Sequence, residues 1–159
     1  MENFIYSSFG WFHFLVSLVA LAAGTYVLSA EKGTKRHKQV GYIYVFSMIM
    51  VCGSAFGLYN LTGEFGIFHV AAIIGFVTLA GGMLPLVIRN FPEKYKGVHP
   101  WFMYYSVMGL YAALVSELSV RIPAKPFFTM VGIATFLVFG IGTFFILRKQ
   151  AVWSKYFED

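Results

Sequence analysis

The chain has 159 residues and a formal net charge of +5, with 58% hydrophobic and only 12% charged residues. An ordinary soluble domain carries about 25% charged residues, so this composition cannot cover a water-facing surface and leaves no room for a soluble catalytic domain. We therefore expect a single transmembrane domain over residues 1–159, with the lipid bilayer as its main solvent. The net positive charge is explained by cytoplasmic loops and does not indicate a nucleic-acid partner.

The N-terminal segment and the cysteine content narrow the class further. The opening MENFIYSSFGWF has no positively charged stretch and no small-residue cleavage site, so we do not expect a removable signal peptide. Cys52 is the sole cysteine and lies in an apolar run. An internal disulfide is therefore excluded, and a packed thiol is the expectation.

Five apolar segments, separated by polar or Gly- and Pro-containing breaks, predict an all-α integral membrane protein with five transmembrane helices. The predicted bounds are residues 8–29, 36–60, 65–88, 99–120 and 126–147. Pro85 is expected to kink the third helix and to free the carbonyl near Gly81. Gly53 and Gly57 form a small-xxx-small pair on the second helix, a spacing that allows close approach of a neighbour.

Lysines and arginines are distributed unevenly among the predicted connections. Only Arg121 and Lys125 follow the fourth helix, whereas the other ten follow the first, third or fifth. The ten are Lys32, Lys35, Arg36, Lys38, Arg89, Lys94, Lys96, Arg148, Lys149 and Lys155. Because cytoplasmic loops carry the excess of basic residues, we predict an inner or plasma membrane protein with its N-terminus outside and its C-terminus cytoplasmic.

The four histidines fall into two pairs at two predicted depths. His13 and His69 lie early in helices that start outside, and His37 and His99 open helices that start inside. About 16 residues separate His13 from the inner end of its helix, which puts the two levels roughly 24 Å apart. The order of histidine, apolar run, basic loop and second histidine occurs twice, as in a duplicated hairpin. We therefore expect a four-helix core bundle with the fifth helix peripheral.

Paired histidines at each depth suit a b-type haem, whose iron takes one axial imidazole on each face. The predicted iron ligands are His13, His69, His37 and His99. A porphyrin needs small residues where it lies flat on a helix. Gly41 follows His37 by one turn, and Gly24 lies close to the helix face of His13. One or two haem b groups would make the protein a transmembrane oxidoreductase that moves single electrons across or within the membrane, with quinol as a partner.

Other interpretations of the histidines stay open. Histidines at helix starts also meet water or lipid phosphates, and those one turn further in also bond to neighbouring helices. If they do only this, the protein is a cofactor-free accessory subunit of a larger respiratory or photosynthetic complex. A third interpretation is a histidine-based metal site. Two imidazoles per level, without a carboxylate or thiolate, under-fill a zinc site, which takes four ligands.

Two stretches, GTKRHKQVGYIYVFSM and HPWFMYYSVMGLYAALVSELSVR, carry a family resemblance. They resemble an uncharacterised bacterial multi-helix membrane family, one of the domains of unknown function. The pattern of that family begins with a histidine in the first helix, followed by a basic loop that contains a histidine and the motif G-x-x-Y. A later histidine is followed by tryptophan and methionine, and an arginine ends that helix. The matching residues, within about residues 12–121, are His13, His37, Gly41, Tyr44, His99, Trp101, Met103 and Arg121.

More distantly, KRH and HPW are similar to stretches of the cytochrome b-561 family, which carries two haems between four core helices. That resemblance implies an outer haem held by His13 with His69 and an inner haem held by His37 with His99. It also implies that the basic residues beside His37 favour haem propionates or a small anionic reductant. These basic residues are Lys35, Arg36 and Lys38. The chain departs from the family in its shorter loops and in having five helices rather than six.

One acidic residue, Glu117, is predicted within the fourth helix. Arg121 follows it by four residues, which is the spacing of a helical ion pair. An interfacial salt bridge is one interpretation, and a proton or quinol contact near the outer haem is the other.

Overall fold

The computed structural model describes residues 8–59, 63–88, 97–120 and 127–154, and within these ranges the chain is helical, with no strand. The five helices are α1 (Ser8–Ser29), α2 (Lys35–Ala55), α3 (Ile67–Val87), α4 (His99–Val120) and α5 (Phe127–Ser154). The bounds of α1 and α4 agree with the sequence prediction. Helix α2 ends five residues earlier than expected, and α5 continues seven residues further.

Three of these helices are long and apolar enough to cross a membrane, namely α1, α3 and α5. The expectation of five spans is therefore supported by length and composition for three. Helix α2 begins with a basic turn, and α4 contains Glu117 and several tyrosines, which lower the hydropathy of both helices. Large apolar side chains on α5 stand largely exposed, as at Phe128 and Phe136. Apolar faces of this extent need lipid or a partner to cover them.

A short connection fixes the junction of α1 and α2. The Lys32 ammonium donates hydrogen bonds to the last carbonyls of α1, those of Val27 at 2.7 Å and Leu28 at 2.9 Å. Gly33 adopts φ 77°, a left-handed conformation that a glycine takes without a Cβ clash. The Thr34 side chain accepts a hydrogen bond from the His37 amide at 3.1 Å and so caps α2. Two carbonyls at the end of α1 and one amide at the start of α2 are thereby bonded within this short connection.

Small residues form the buried face of α1, which packs closely against α2. This face comprises Gly10, Ala20, Ala23, Gly24 and Val27. The buried face of α2 is larger in side-chain volume and includes Tyr44, which is 0% exposed. Small residues on one helix and a large ring on the next let the two backbones approach without a void.

The chain divides into two compact units, residues 1–80 and 81–159, with the boundary inside α3. In the first unit, α3 approaches α2 at Gly75, where an added Cβ would lie 2.9 Å from Cys52 Sγ. In the second unit, α4 packs on α5. The Tyr104 hydroxyl donates to the Gly142 carbonyl at 2.6 Å. Since Tyr104 is near the start of α4 and Gly142 is in the second half of α5, these helices run antiparallel.

Candidate functional site

His13 is bonded to the neighbouring helix. Its Nδ1 lies 2.7 Å from Ser54 Oγ on α2. The Ser54 hydroxyl also lies 2.6 Å from the carbonyl of Met50. Which of the two atoms donates in the His13–Ser54 bond depends on the tautomer of the ring. The interhelical bond anticipated as one role of this histidine is present.

His69 is the most buried of the histidines whose exposure is described, with 3% of its surface accessible. Its Nδ1 accepts a hydrogen bond from the Gly66 amide at 3.0 Å. Gly66 immediately precedes α3, so the imidazole satisfies an otherwise unbonded amide at the helix start, as a Glu or Gln does in a capping box. A nitrogen that accepts an N–H bond carries no hydrogen. The neutral ring consequently bears its hydrogen on Nε2.

Aromatic rings surround His69. The Phe65 ring lies 4.9 Å from the imidazole centroid at 25°, and the Tyr59 ring lies 4.8 Å away at 32°. Phe56 is 6.0 Å away at 47°. Among the residues that the structure describes, the buried Nε2 has no hydrogen-bond partner. The imidazole thus presents one unpaired donor inside an aromatic cluster, which we define as His69, Phe56, Tyr59 and Phe65.

His99 is oriented by the backbone of α3 within the second unit. Its Nδ1 lies 2.7 Å from the carbonyl oxygen of Gly82. A carbonyl only accepts, so Nδ1 donates and the lone pair of the neutral ring is on Nε2. Gly82 lies in the turn before Pro85, which has no amide hydrogen to give to the Gly81 carbonyl. The proline anticipated to disturb α3 therefore lies next to the anchor of a histidine.

The remaining predicted cofactor residues differ in burial and in the space around them. His37 is half-buried in the first turn of α2, with its amide bonded to Thr34. Gly24 is buried on α1. Gly41 has open space where a Cβ would project, since nothing lies within 4 Å.

The charged candidates are less informative. Lys35, Arg36 and Lys38 are exposed on the first turn of α2. Glu117 is half-buried in α4. Arg121 lies outside the described residues, so the predicted Glu117–Arg121 ion pair stays a prediction. In the described part of the chain, no group of three or more His, Cys, Asp or Glu side chains is arranged to hold a metal ion.

Tautomer decides which histidines suit a haem iron. An axial imidazole binds iron through a nitrogen lone pair, and its other nitrogen usually donates to a carbonyl or a similar acceptor. His99 has such a bond, from Nδ1 to the Gly82 carbonyl. His69 does not, because its lone pair is directed to the Gly66 amide and its Nε2 carries hydrogen. In this conformation His69 therefore lacks the Nε2 lone pair that an axial ligand uses, and haem binding by the two histidine pairs stays a prediction.

Sequence reasoning located the histidines but missed the groups to which their rings are bonded. Ser54, Gly66 and Gly82 lie far from the histidine motifs or contribute only backbone atoms. The aromatic neighbours of His69 had a visible signal, because the segment 56–68 is rich in phenylalanine and tyrosine around a turn.

Comparison with known proteins adds no name to this arrangement. The chain matches no protein-family model, no curated protein and no solved structure.

Proposed function

We propose that this protein is a small integral membrane b-type cytochrome that moves single electrons, and that His99 is an axial ligand of its haem. The observation that supports this is the 2.7 Å bond from His99 Nδ1–H to the Gly82 carbonyl. Such a bond fixes the ring orientation, puts the lone pair on Nε2 and raises the basicity of the ligand. Haem b, when bound, supplies the one-electron couple, and the chain supplies the oriented imidazole.

His37 is the second ligand in this proposal, and that assignment rests on the sequence pattern alone. Both histidines open helices that follow basic loops, so the positive-inside distribution assigns them to one level. The poor fit of His69 favours one haem over two. Quinol or a small anionic reductant is the proposed electron partner, and the exposed basic turn of α2 suits the haem propionates or such an anion.

The proposal includes five spans. Helix α2 returns antiparallel along α1, since the connection is five residues long and His13 near the start of α1 meets Ser54 near the end of α2. If α1 crosses the bilayer, α2 therefore crosses it too, and its 21 residues extend roughly 32 Å. The same reasoning applies to α4, which runs antiparallel to the apolar helix α5.

Orientation is proposed from charge, with the N-terminus outside and the C-terminus cytoplasmic. The test uses Cys52→Ser as background, with Lys35→Cys for the inner side and Glu64→Cys for the outer side. A membrane-impermeant thiol reagent added to intact cells is expected to label the Glu64 position and not the Lys35 position. The reverse pattern would contradict the orientation and move the basic loops outside.

Absorption spectroscopy tests the haem. The protein expressed with haem supplied is expected to show a Soret band that sharpens and shifts on reduction. His99→Ala should abolish the band or convert it to that of a weakly held haem, and His37→Ala should do the same. His69→Gln is the control, because glutamine keeps the cap of α3, and it should retain the band. A wild-type protein without a Soret band, or an unchanged spectrum in His99→Ala, would end the proposal.

A cofactor-free accessory subunit of a larger membrane complex is the second candidate. Its support is that His13, His69 and His99 each use Nδ1 in a bond that holds a helix or a helix end in place. This candidate predicts co-purification with partner subunits at fixed stoichiometry. It also predicts that His99→Ala lowers stability without any spectral change.

A further inference from the structure

The Nε2–H of His69 is the strongest unexplained polar group in the described chain. It is buried, and no hydrogen-bond acceptor among the described residues reaches it. A buried donor without a partner is unfavourable, and buried polar groups in proteins nearly always have one. The opposite nitrogen is already bonded to the Gly66 amide. A bound ligand with an acceptor oxygen would satisfy the remaining donor.

The surroundings specify what kind of acceptor fits. Phe65 and Tyr59 lie at 25° and 32° to the imidazole plane, so the cluster has flat apolar walls. Flat conjugated rings stack on such walls with a gain beyond simple burial. The imidazole is neutral while Nδ1 accepts, and it therefore offers a dipole rather than a charge. A neutral carbonyl on a planar ring matches both features.

The position of His69 in the chain indicates how a ligand would reach it. His69 is in the first turn of α3, one of the helices long and apolar enough to cross a membrane. The side chains that flank it are half-open to the surroundings, with Tyr59 44% and Phe65 55% exposed. The ligand is therefore one that reaches the protein from the lipid near its polar boundary.

We propose that the aromatic cluster is a binding site for the headgroup of a membrane-soluble quinone, whose carbonyl oxygen accepts the hydrogen bond from His69 Nε2–H. A lipid ester carbonyl offers the same acceptor but has no planar ring to stack on Phe65 and Tyr59. The site deepens the proposed function, from which it takes quinol as the electron partner, but its geometry does not depend on haem being bound.

Direct titration tests the site. Full-length protein in nanodiscs of ester-linked phosphatidylcholine is titrated with a short-tail benzoquinone and, separately, a short-tail naphthoquinone. The readouts are quenching of tryptophan fluorescence and the ¹⁵N resonances of labelled histidine. Saturable quenching is expected for at least one quinone, together with a shift of the His69 Nε2 resonance. Quinone binding is expected whether or not the preparation shows a Soret band, which separates this result from the outcome for haem.

Two substitutions at His69 distinguish the donor from the helix cap. His69→Glu keeps an acceptor for the Gly66 amide but has no donor, and about tenfold weaker quinone binding is expected. His69→Gln keeps both functions and should bind within about threefold of wild type. Ile73→Ala, an exposed position on the same helix, is the control and should not change binding. Equal affinity of the Glu variant and wild type would overturn the proposal.

A second pair of variants covers the case in which His69 substitutions do not fold. Phe65→Leu removes a stacking wall without touching the cap and should weaken binding several-fold. Phe12→Leu, at a similarly exposed aromatic of α1, should have no effect. Non-saturable quenching would reject the quinone site. A His69 resonance that shifts when ester-linked lipid is replaced by ether-linked lipid, but not when quinone is added, would assign the acceptor to the lipid ester carbonyl and would also reject the quinone site.

Discussion

His99 and Gly82 are joined by a 2.7 Å hydrogen bond between the ring Nδ1 and the backbone carbonyl oxygen, although 17 residues separate them in the chain. Close contact of α3 and α4 at this turn makes the bond available. An added Cβ at Gly82 would lie 2.7 Å from Met103 Sδ and 3.3 Å from Phe102 Cβ. The absence of a side chain at Gly82 therefore keeps the histidine within reach of the carbonyl.

Gly82→Ala is expected to destabilise the protein by about 1–3 kcal/mol, because the new methyl group overpacks the contact with α4. The His99 bond should lengthen at the same time. Gly109→Ala on α4 is the matched control, since nothing lies within 4 Å of its Cβ position. Unfolding in mixed micelles with increasing SDS measures both free energies. Equal stability of the two variants would contradict the described contact.

Ser54→Ala removes the hydrogen bond between Ser54 and the His13 ring. A cost of roughly 0.6 kcal/mol, and at most about 1.7 kcal/mol, is expected from measured hydrogen bonds between membrane helices. Ser47→Ala is the control, because Ser47 is equally buried but its hydroxyl donates within its own helix, to Ile43 and Tyr44 carbonyls. The same SDS unfolding assay should therefore show a loss for Ser54→Ala only. A larger loss of unfolding free energy for Ser47→Ala than for Ser54→Ala would contradict the role of the His13–Ser54 bond.

Gly142→Ala should destabilise the α4–α5 pair by about 1–3 kcal/mol. Its Cβ would lie 2.6 Å from Met108 Sδ and 3.1 Å from Met108 Cγ, so the Met108 side chain would have to move. Gly140→Ala, one step away on the same helix, has open space and should be neutral or stabilising by up to about 1 kcal/mol. Thermal unfolding in detergent compares the two. Similar melting temperatures would argue against close α4–α5 packing at this level.

Gly33→Ala tests the backbone conformation of the α1–α2 connection. No steric clash contributes, because nothing lies within 4 Å of the Cβ position. Its φ of 77° costs a residue with a side chain about 1–2 kcal/mol. Gly53→Ala also has open space but lies within helix α2, so it should be neutral or slightly stabilising. Chemical or thermal unfolding of both variants gives the comparison. No loss in Gly33→Ala would mean that the connection adopts another conformation.

The helix bounds agree with the sequence prediction where a helix-starting or helix-ending residue lies at the end of an apolar run. The start of α4 at His99, followed by Pro100, is such a case. Helix α2 ended early because residues 56–58 switch to i→i−3 amide bonds, the first from the Phe56 amide to the Gly53 carbonyl, in a stretch still apolar enough to continue. Helix α5 ran on because residues 148–154 include good helix formers beyond the apolar run.

The histidines stand out in the sequence because they are rare in apolar helices, but their chemistry cannot be predicted from it. Their arrangement at two levels stays a prediction. The hydrogen position of the His69 ring depends on Gly66, a local partner three residues earlier in the chain, whereas that of His99 depends on Gly82, which is 17 residues away on another helix. The distinction between His69 and His99, on which the choice of haem ligand rests, therefore requires tertiary information for His99.

The hydrogen bonds from the Lys32 ammonium to carbonyls in the last turn of α1 have a consequence for biosynthesis. Together with the Thr34 cap and the His13–Ser54 bond, they make the first hairpin complete in its own contacts before α4 and α5 exist. A ribosome that has released only this segment has already delivered a paired helical hairpin. Later segments then enter the bilayer beside a preformed neighbour.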